Sequence, residues 1–341
     1  MIKVGLIGLG FMGRTHLSRY LNSDKAKLVA VADIDPERLQ PGTVVEGNID
    51  LGLPPLEIPK GVATFTTLDE LLEGIEVDMV DICLPTFLHA ESTVKAAEAG
   101  KHVLCEKPMA LTLEECQAMI NAAQANGVQL MIAQCLRFWP EYLYLKDTFD
   151  SQRLGRLQSL NMRRLGTPPL WSWEDWFLDA ERSGGPVIDL QIHDVDFINF
   201  LLGPPQAIFA QGINHGVTED IDVVIGNFLY PEMKVTAEAG WMKAPGFGFY
   251  FAYEALFERG LVRLASDQKL PLMVYEEGRE PYAPEVNGPD GYTAEIQFFL
   301  ECLAEGREVA ETFPPESAQT SIKMALLEKE SIARREVVPF T

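Results

Sequence analysis

The sequence predicts an α/β protein in two parts: a doubly wound parallel sheet over residues 1–135, then an α+β domain with a largely antiparallel sheet over residues 136–341. Three observations carry the prediction. Near-continuous apolar runs alternate with helical patterns as far as about residue 135, as in parallel strands covered on both faces. Beyond residue 155 the runs are separated by turn signals, the mark of antiparallel pairing. A chain of 341 residues also exceeds what one ordinary core takes.

The first strands are expected at "KVGLIG" (3–8), "KLVAVAD" (27–33), "VDMVDICL" (77–84), "KHVLCE" (101–106) and "VQLMIAQ" (128–134). Between them, Thr67 with Glu70 and Thr112 with Glu115 fit the S/T-x-x-E capping box, and Gly100 and Gly127 stand where helices end. Such a βαβ series winds with right-handed crossovers. The stretch 41–61, rich in Pro and Gly, has no helical period and reads as a long functional or mobile loop. Later strands are expected at "LQSLNMRRLG", "QAIFAQGI", "DVVIGNFLY", "KVTAEAGWM", "FYFAYEALFERG" and "LVRLAS", and helices at "TAEIQFFLECLAEG" and "PESAQTSIKMALLEKESIARR". In "GGPVIDLQIHDVDF" (184–197), Asp189, His193 and Asp196 fall at i, i+4 and i+7 of one helix that is otherwise apolar.

The 28 Lys and Arg against 50 Asp and Glu give a net charge of −22, which repels nucleic acid and anionic membrane surfaces. Five cysteines, odd in number and without a C-x-x-C pair, indicate neither a disulfide framework nor a metal site. Buried thiols in a reducing compartment are expected, hence a cytoplasmic location. The apolar start reads as a strand, not a signal peptide, and no run is long enough to span a bilayer.

Gly8, Gly10 and Gly13 in "GLGFMG" complete G-x-G-x-x-G between the first strand and the first helix. The first glycine allows the tight turn, the second a close approach of pyrophosphate, and the third close packing of helix on strand. Phe11 and Met12 open the helix whose N–H groups face the phosphate charge. The second strand ends in Asp33, about 20 residues on, where a carboxylate accepts both ribose hydroxyls and repels a 2′-phosphate. Ile34 follows it instead of an Arg, so NAD is favoured over NADP.

In "CEKP" (105–108), Lys107 sits at the C-terminal edge of a strand, where an ammonium can hold a substrate oxygen; a surface turn lysine is the other reading. The polar stripe of 184–197 either meets solvent or lines a cleft where His193 takes an alcohol proton, with Asp189 orienting the ring. Trp171, Trp173 and Trp176 offer flat faces to a sugar ring, or to core packing or a subunit contact. Arg163 and Arg164 fit an acidic substrate or a solvated strand edge.

"GLGFMG", Asp33, "CLPTFLHAE" (83–91), "GKHVLCEKPMALTLEE" (100–115) and "GGPVIDLQIHDVDF" occur in the order of one family. On these motifs the chain resembles, over nearly its whole length, the glucose-fructose oxidoreductase/inositol dehydrogenase/rhizopine catabolism (Gfo/Idh/MocA) family. The resemblance implies a Rossmann domain, then an α+β domain whose open sheet mediates homodimers or homotetramers. It implies an NAD-dependent oxidoreductase acting on a secondary alcohol or ketone of a sugar, inositol or related polyol. Lys107 matches the family's EKP lysine, and Asp189 and His193 its D-x-x-x-H pair, with His193 the acid/base. Pro85, Thr86 and His89 match the segment near the nicotinamide, and Glu106 with Lys107 completes the cofactor-binding set. A redox-cycling NAD-dependent glycosidase and a nucleotide-sensing regulator share the fold and are the rival readings. Three departures stand out: Pro186 in place of a glycine, Gln191 in place of a small residue, which is expected to narrow the pocket, and Leu136 in place of an Asn before Arg137. The 41–61 loop is longer than usual and is expected near the adenosine end.

Overall fold

A computed structural model describes every residue except Asp50, which lies in the 41–61 loop, and Pro245. The chain forms two compact units, residues 1–134 with 292–319 and residues 135–291 with 320–341.

In the first unit the chain runs β1 (Ile2–Ile7), α1 (Phe11–Leu21), β2 (Ala26–Ala32), β3 (Ala63–Phe65), α2 (Leu68–Gly74), β4 (Met79–Ile82), α3 (His89–Glu98), β5 (His102–Glu106), α4 (Leu113–Asn126) and β6 (Leu130–Ala133). The strands form one parallel sheet in the order β3-β2-β1-β4-β5-β6. Every predicted run is a strand of this sheet. The unforeseen β3 has three residues, too few to show a period. β4 and β6 are buried at every position and β1 from Val4 onward, as a sheet covered on both faces requires. Thr112 and Glu115 make a full capping box, and Gly127 ends α4 in the left-handed region at φ 64°. Thr67 caps α2 through Glu70 N–H, while the Glu70 carboxylate reaches Thr66.

The second unit holds α5 (Pro140–Ser151), β7 (Leu157–Gly166), α6 (Ala180–Ser183), α7 (Gly185–Asp189), α8 (Ile192–Leu202), β8 (Ala207–Ile213), β9 (Val223–Leu229), β10 (Lys234–Trp241), β11 (Phe249–Phe257), β12 (Gly260–Ala265) and β13 (Leu272–Glu276). α9 (Gly291–Glu305) belongs, but for its first residue, to the first unit, and α10 (Pro315–Arg334) and β14 (Val338–Pro339) close the chain. The sheet order is β13-β12-β11-β7-β10-β9-β8-β14, antiparallel except for the parallel pair β7/β10. α7 and α8 pack on β7, β9 and β10.

The predicted single helix over 184–197 is in fact two. Leu190 and Gln191 interrupt it, and Gln191 N–H reaches back five residues to Pro186 O at 2.8 Å, a one-turn widening of the helix. Pro186 sits in the first turn of α7, where its missing N–H costs nothing. Asp189 and His193 therefore flank a break. No described helix is long and apolar enough to cross a membrane.

Candidate functional site

The glycine-rich turn joins β1 to α1 and is shaped by contacts that only glycine allows. Gly8 has φ 90°, and a Cβ there would lie 2.3 Å from Cys83 O. A Cβ at Gly13 would lie 1.7 Å from Gly8 O, so α1 rests directly on the turn. At Gly10 a Cβ would meet only Arg38 Nη1, at 3.3 Å, within 4 Å, which leaves the approach to the backbone otherwise open. α1 has no side-chain cap and no acidic residue in its first turn, so the N–H groups from Phe11 and Met12 onward suit an anion.

Asp33, just past the end of β2, is buried. Its Oδ2 accepts the Leu9 N–H at 2.7 Å and its Oδ1 the Asp35 N–H at 2.9 Å. The carboxylate is thus held against the turn by two backbone donors. Two arginines that the motif reading passed over stand beside it. Arg38 lies over Gly10, and Arg14 donates to Leu9 O at 3.2 Å, Thr43 O at 2.6 Å and Arg38 O at 3.4 Å. Burial pushes the Arg14 pKa down, and the neighbouring Arg38 charge adds to this. Neither arginine follows Asp33 directly, so no spacing rule points to it. Thr43 belongs to the 41–61 loop, whose Gly47 presses on the Phe11 ring, where a Cβ would fall 2.2 Å from ring carbons. The loop is therefore tied over the helix start, and Leu56 is its buried anchor.

At the C-terminal ends of β4 and β5 stand Pro85, Thr86, His89, Glu106 and Lys107. Pro85 precedes a single 3₁₀ turn that leads into α3 at His89. Thr86 is buried, and its Oγ1 has no hydrogen-bond partner in the protein. The buried His89 ring places Nδ1 2.7 Å from Pro108 O and Nε2 2.7 Å from Leu84 O, and so braces the turn after Lys107. Burial pushes the His89 pKa down, against the pull of the two carbonyls. The Lys107–Pro108 peptide is cis, and Lys107 N–H donates to Glu106 Oε2 at 3.0 Å.

The residues fit a dinucleotide. The open cradle at Gly10, the uncapped α1 and the unpartnered Thr86 hydroxyl are features that a bound nucleotide would complete. Metal-type donors converge within 4.8 Å in two groups among the described residues, His16–Asp81–Cys83, of which Cys83 is half-buried, and the buried His16–Glu106–Glu295. Both share His16, whose two nitrogens already face carboxylates.

In the second unit, Asp189 is buried at the end of α7 and His193 is half-buried in the first turn of α8, with Nδ1 4.0 Å from Cys135 Sγ. The remaining acids of the segment are structural. Asp196 accepts a bidentate pair from Arg137 at 2.7 and 2.7 Å and a hydroxyl from Ser321 at 2.8 Å. Asp194 accepts Arg164 at 3.0 and 2.9 Å. Breaking such a buried pair costs about 3–5 kcal/mol, so these two pin α8 firmly. Arg164 is buried here, which corrects both the acidic-substrate and the solvated-edge readings; Arg163 is exposed and pairs with Glu238.

Gln191 does not narrow a pocket either. It is fully buried, with Nε2 3.1 Å from Ala237 O and 3.1 Å from Glu328 Oε1. Trp176 stacks on Phe177 with centroids 3.9 Å apart, Trp171 meets Phe177 edge-on, and Phe177 in turn meets Trp241. Trp171 and Trp176 thus join an aromatic packing cluster.

Residues 2–134 match the model of an oxidoreductase family with an NAD-binding Rossmann fold, and residues 142–263 match the GFO/IDH/MocA C-terminal domain. Among similar proteins, myo-inositol 2-dehydrogenase of Thermotoga maritima is 26% identical over 99% of this chain and 100% of its own length. The 2,7-anhydro-N-acetylneuraminate hydratase of Escherichia coli is 32% identical over 63% of this chain and 53% of its own. Several of the curated relatives are matched over only about half of their length. The WlbA dehydrogenase of Bordetella pertussis, solved with NADH and UDP-GlcNAcA, shares the fold at a TM-score of 0.82, with 22% identity over 100% of this chain and 99% of that one.

Proposed function

The chain belongs to the Gfo/Idh/MocA family of NAD-binding oxidoreductases, and from that premise we propose that it moves hydride between NAD and a secondary alcohol or ketone of a sugar, inositol or related polyol. The observation that carries the proposal is the retention of Lys107, Asp189 and His193 together with a turn built for a dinucleotide. NAD, when bound, supplies the hydride acceptor. His193 takes the proton of the substrate hydroxyl, Asp189 orients the imidazole, and the Lys107 ammonium holds the oxygen as its charge changes. Pro85 and Thr86 serve the nicotinamide end, Asp33 the adenosine ribose, and His89 and Glu106 shape the turn that carries Lys107.

The test is direct. Purified protein is mixed with NAD and a panel of inositols, sugars and sugar acids, and absorbance of the reduced nicotinamide is followed. A rise with one class names the substrate. No rise, with NAD binding established by calorimetry, refutes net oxidation and favours a second reading, in which NAD stays bound and is recycled within each turnover. The loop tied over Phe11 and Arg14 supports that alternative, since it covers the helix start beside which a nucleotide would exchange.

The same proposal includes a homodimer or homotetramer formed through the second unit's sheet, which leaves Ile225, Leu229 and Leu256 exposed. It also includes a cytoplasmic location, in keeping with five cysteines of which none is in a disulfide.

A further inference from the structure

Beneath the nucleotide turn, α1, β4 and β5 enclose a polar cluster around Glu106, in which His16, Tyr20, Asp81 and Cys83 have no role in the reaction as described. His16 of α1 brings Nδ1 within 2.8 Å of Asp81 Oδ2. Its Nε2 lies 3.1 Å from Glu106 Oε1, an ionic contact off the ideal N–H line. Tyr20 donates to the same Asp81 oxygen at 2.7 Å, and Cys83 Sγ stands 3.5 Å from His16 Nδ1. A carboxylate oxygen of Glu295, on α9, lies within 4.8 Å of the facing His16 and Glu106 atoms. Burial by itself would lower the His16 pKa, but Asp81 and the groups around it raise it well above the ordinary value. The ring is thus held toward its charged form between carboxylates of two adjacent strands, hydrogen-bonded to Asp81 and in ionic contact with Glu106. The second oxygen of Glu106, Oε2, holds the Lys107 N–H at 3.0 Å.

We propose that His16 is a positioning residue for Lys107: the ring spans Asp81 and Glu106, and Glu106 in turn holds the backbone of the lysine. The inference rests on the reading of Lys107 as the group that holds the reacting oxygen. Because His16 lies on the helix that begins at the dinucleotide turn, any movement of that helix reaches Lys107 through this side chain. Nucleotide seating and the setting of the lysine are then one event.

The test uses the full chain labelled with ¹⁵N, without substrate. His16→Gln moves the Lys107 amide resonance in the same direction as Glu106→Gln does. With a competent substrate, each variant loses turnover by roughly 10²-fold, the effect of about 1 Å of misplacement. The double variant loses no more than the worse single one, because both act on one path. A Lys107 amide that stays in place in His16→Gln, or losses that multiply in the double variant, overturns the proposal. Absence of turnover with every polyol refutes the reaction but leaves the resonance result to decide the positioning. Should His16→Gln not fold, Glu106→Gln tests the link from the other side, since it keeps an acceptor for Lys107 N–H and withdraws the charge facing the ring. The His16 ring and Lys107 amide resonances then move together, and movement of the amide alone overturns the proposal.

Discussion

Replacing Asp33 by Ala separates the cofactor reading from a merely structural role for this carboxylate. The side chain is buried and already accepts N–H groups from Leu9 and Asp35. Truncation leaves the Leu9 donor unsatisfied whether or not nucleotide is present. That costs the fold about 1–3 kcal/mol and lowers Tm by a few degrees. Binding of NAD loses in addition the charge-assisted bonds to the ribose hydroxyls, each about 1.5–3 kcal/mol. The loss of one such bond weakens the Kd by roughly 10- to 150-fold. NADP behaves differently, because the variant removes the repulsion of a 2′-phosphate while Arg38 remains over Gly10. Its affinity holds or improves, and the NAD preference collapses by at least the factor lost for NAD. Isothermal calorimetry with both nucleotides, alongside thermal melts, reads all three quantities. Equal losses for NAD and NADP would refute the reasoning, since they would mean that the carboxylate acts only by supporting the turn.

Two further expectations follow from the same structure. His193→Ala should cut turnover by about 10²- to 10⁴-fold with NAD affinity nearly unchanged, and retained activity would remove the histidine from the proton step. Glu328 is fully buried, pressed on the β9 backbone at Gly226, and burial holds its pKa well above the carboxylate range despite the Gln191 amide. The folded state therefore keeps a proton that the unfolded chain releases above about pH 4.3. The stability this contributes is complete below that pH and is lost as pH rises toward the folded value, by about 1.4 kcal/mol per unit. Glu328→Gln removes this slope, so its Tm relative to wild type should climb between pH 5 and pH 8. Parallel Tm curves for the two proteins would show that the carboxyl is ionised in the fold.

The architecture and the glycine turn are legible in the chain because both are written in local patterns. Near-continuous apolar runs report strands covered on two sides, and Gly8 and Gly13 report a turn whose sterics exclude a Cβ, with Gly10 left open between them. Asp33 is legible as a candidate because one βαβ unit sets its spacing from the glycine turn. A three-residue strand such as β3 has too little length to show a period, and the break at Leu190–Gln191 involves residues that are helix-compatible in composition. Tertiary structure alone decided which polar groups of "DLQIHDVDF" are spent on the fold. Asp194 and Asp196 find their arginines at Arg164 and Arg137, 30 and 59 residues away, and Gln191 finds Glu328 at a separation of 137. His16, too, gains its meaning only when β4 and β5 bring Asp81 and Glu106 to either side of it. Such pairings depend on which strand lies beside which, and no periodicity along the chain records that order.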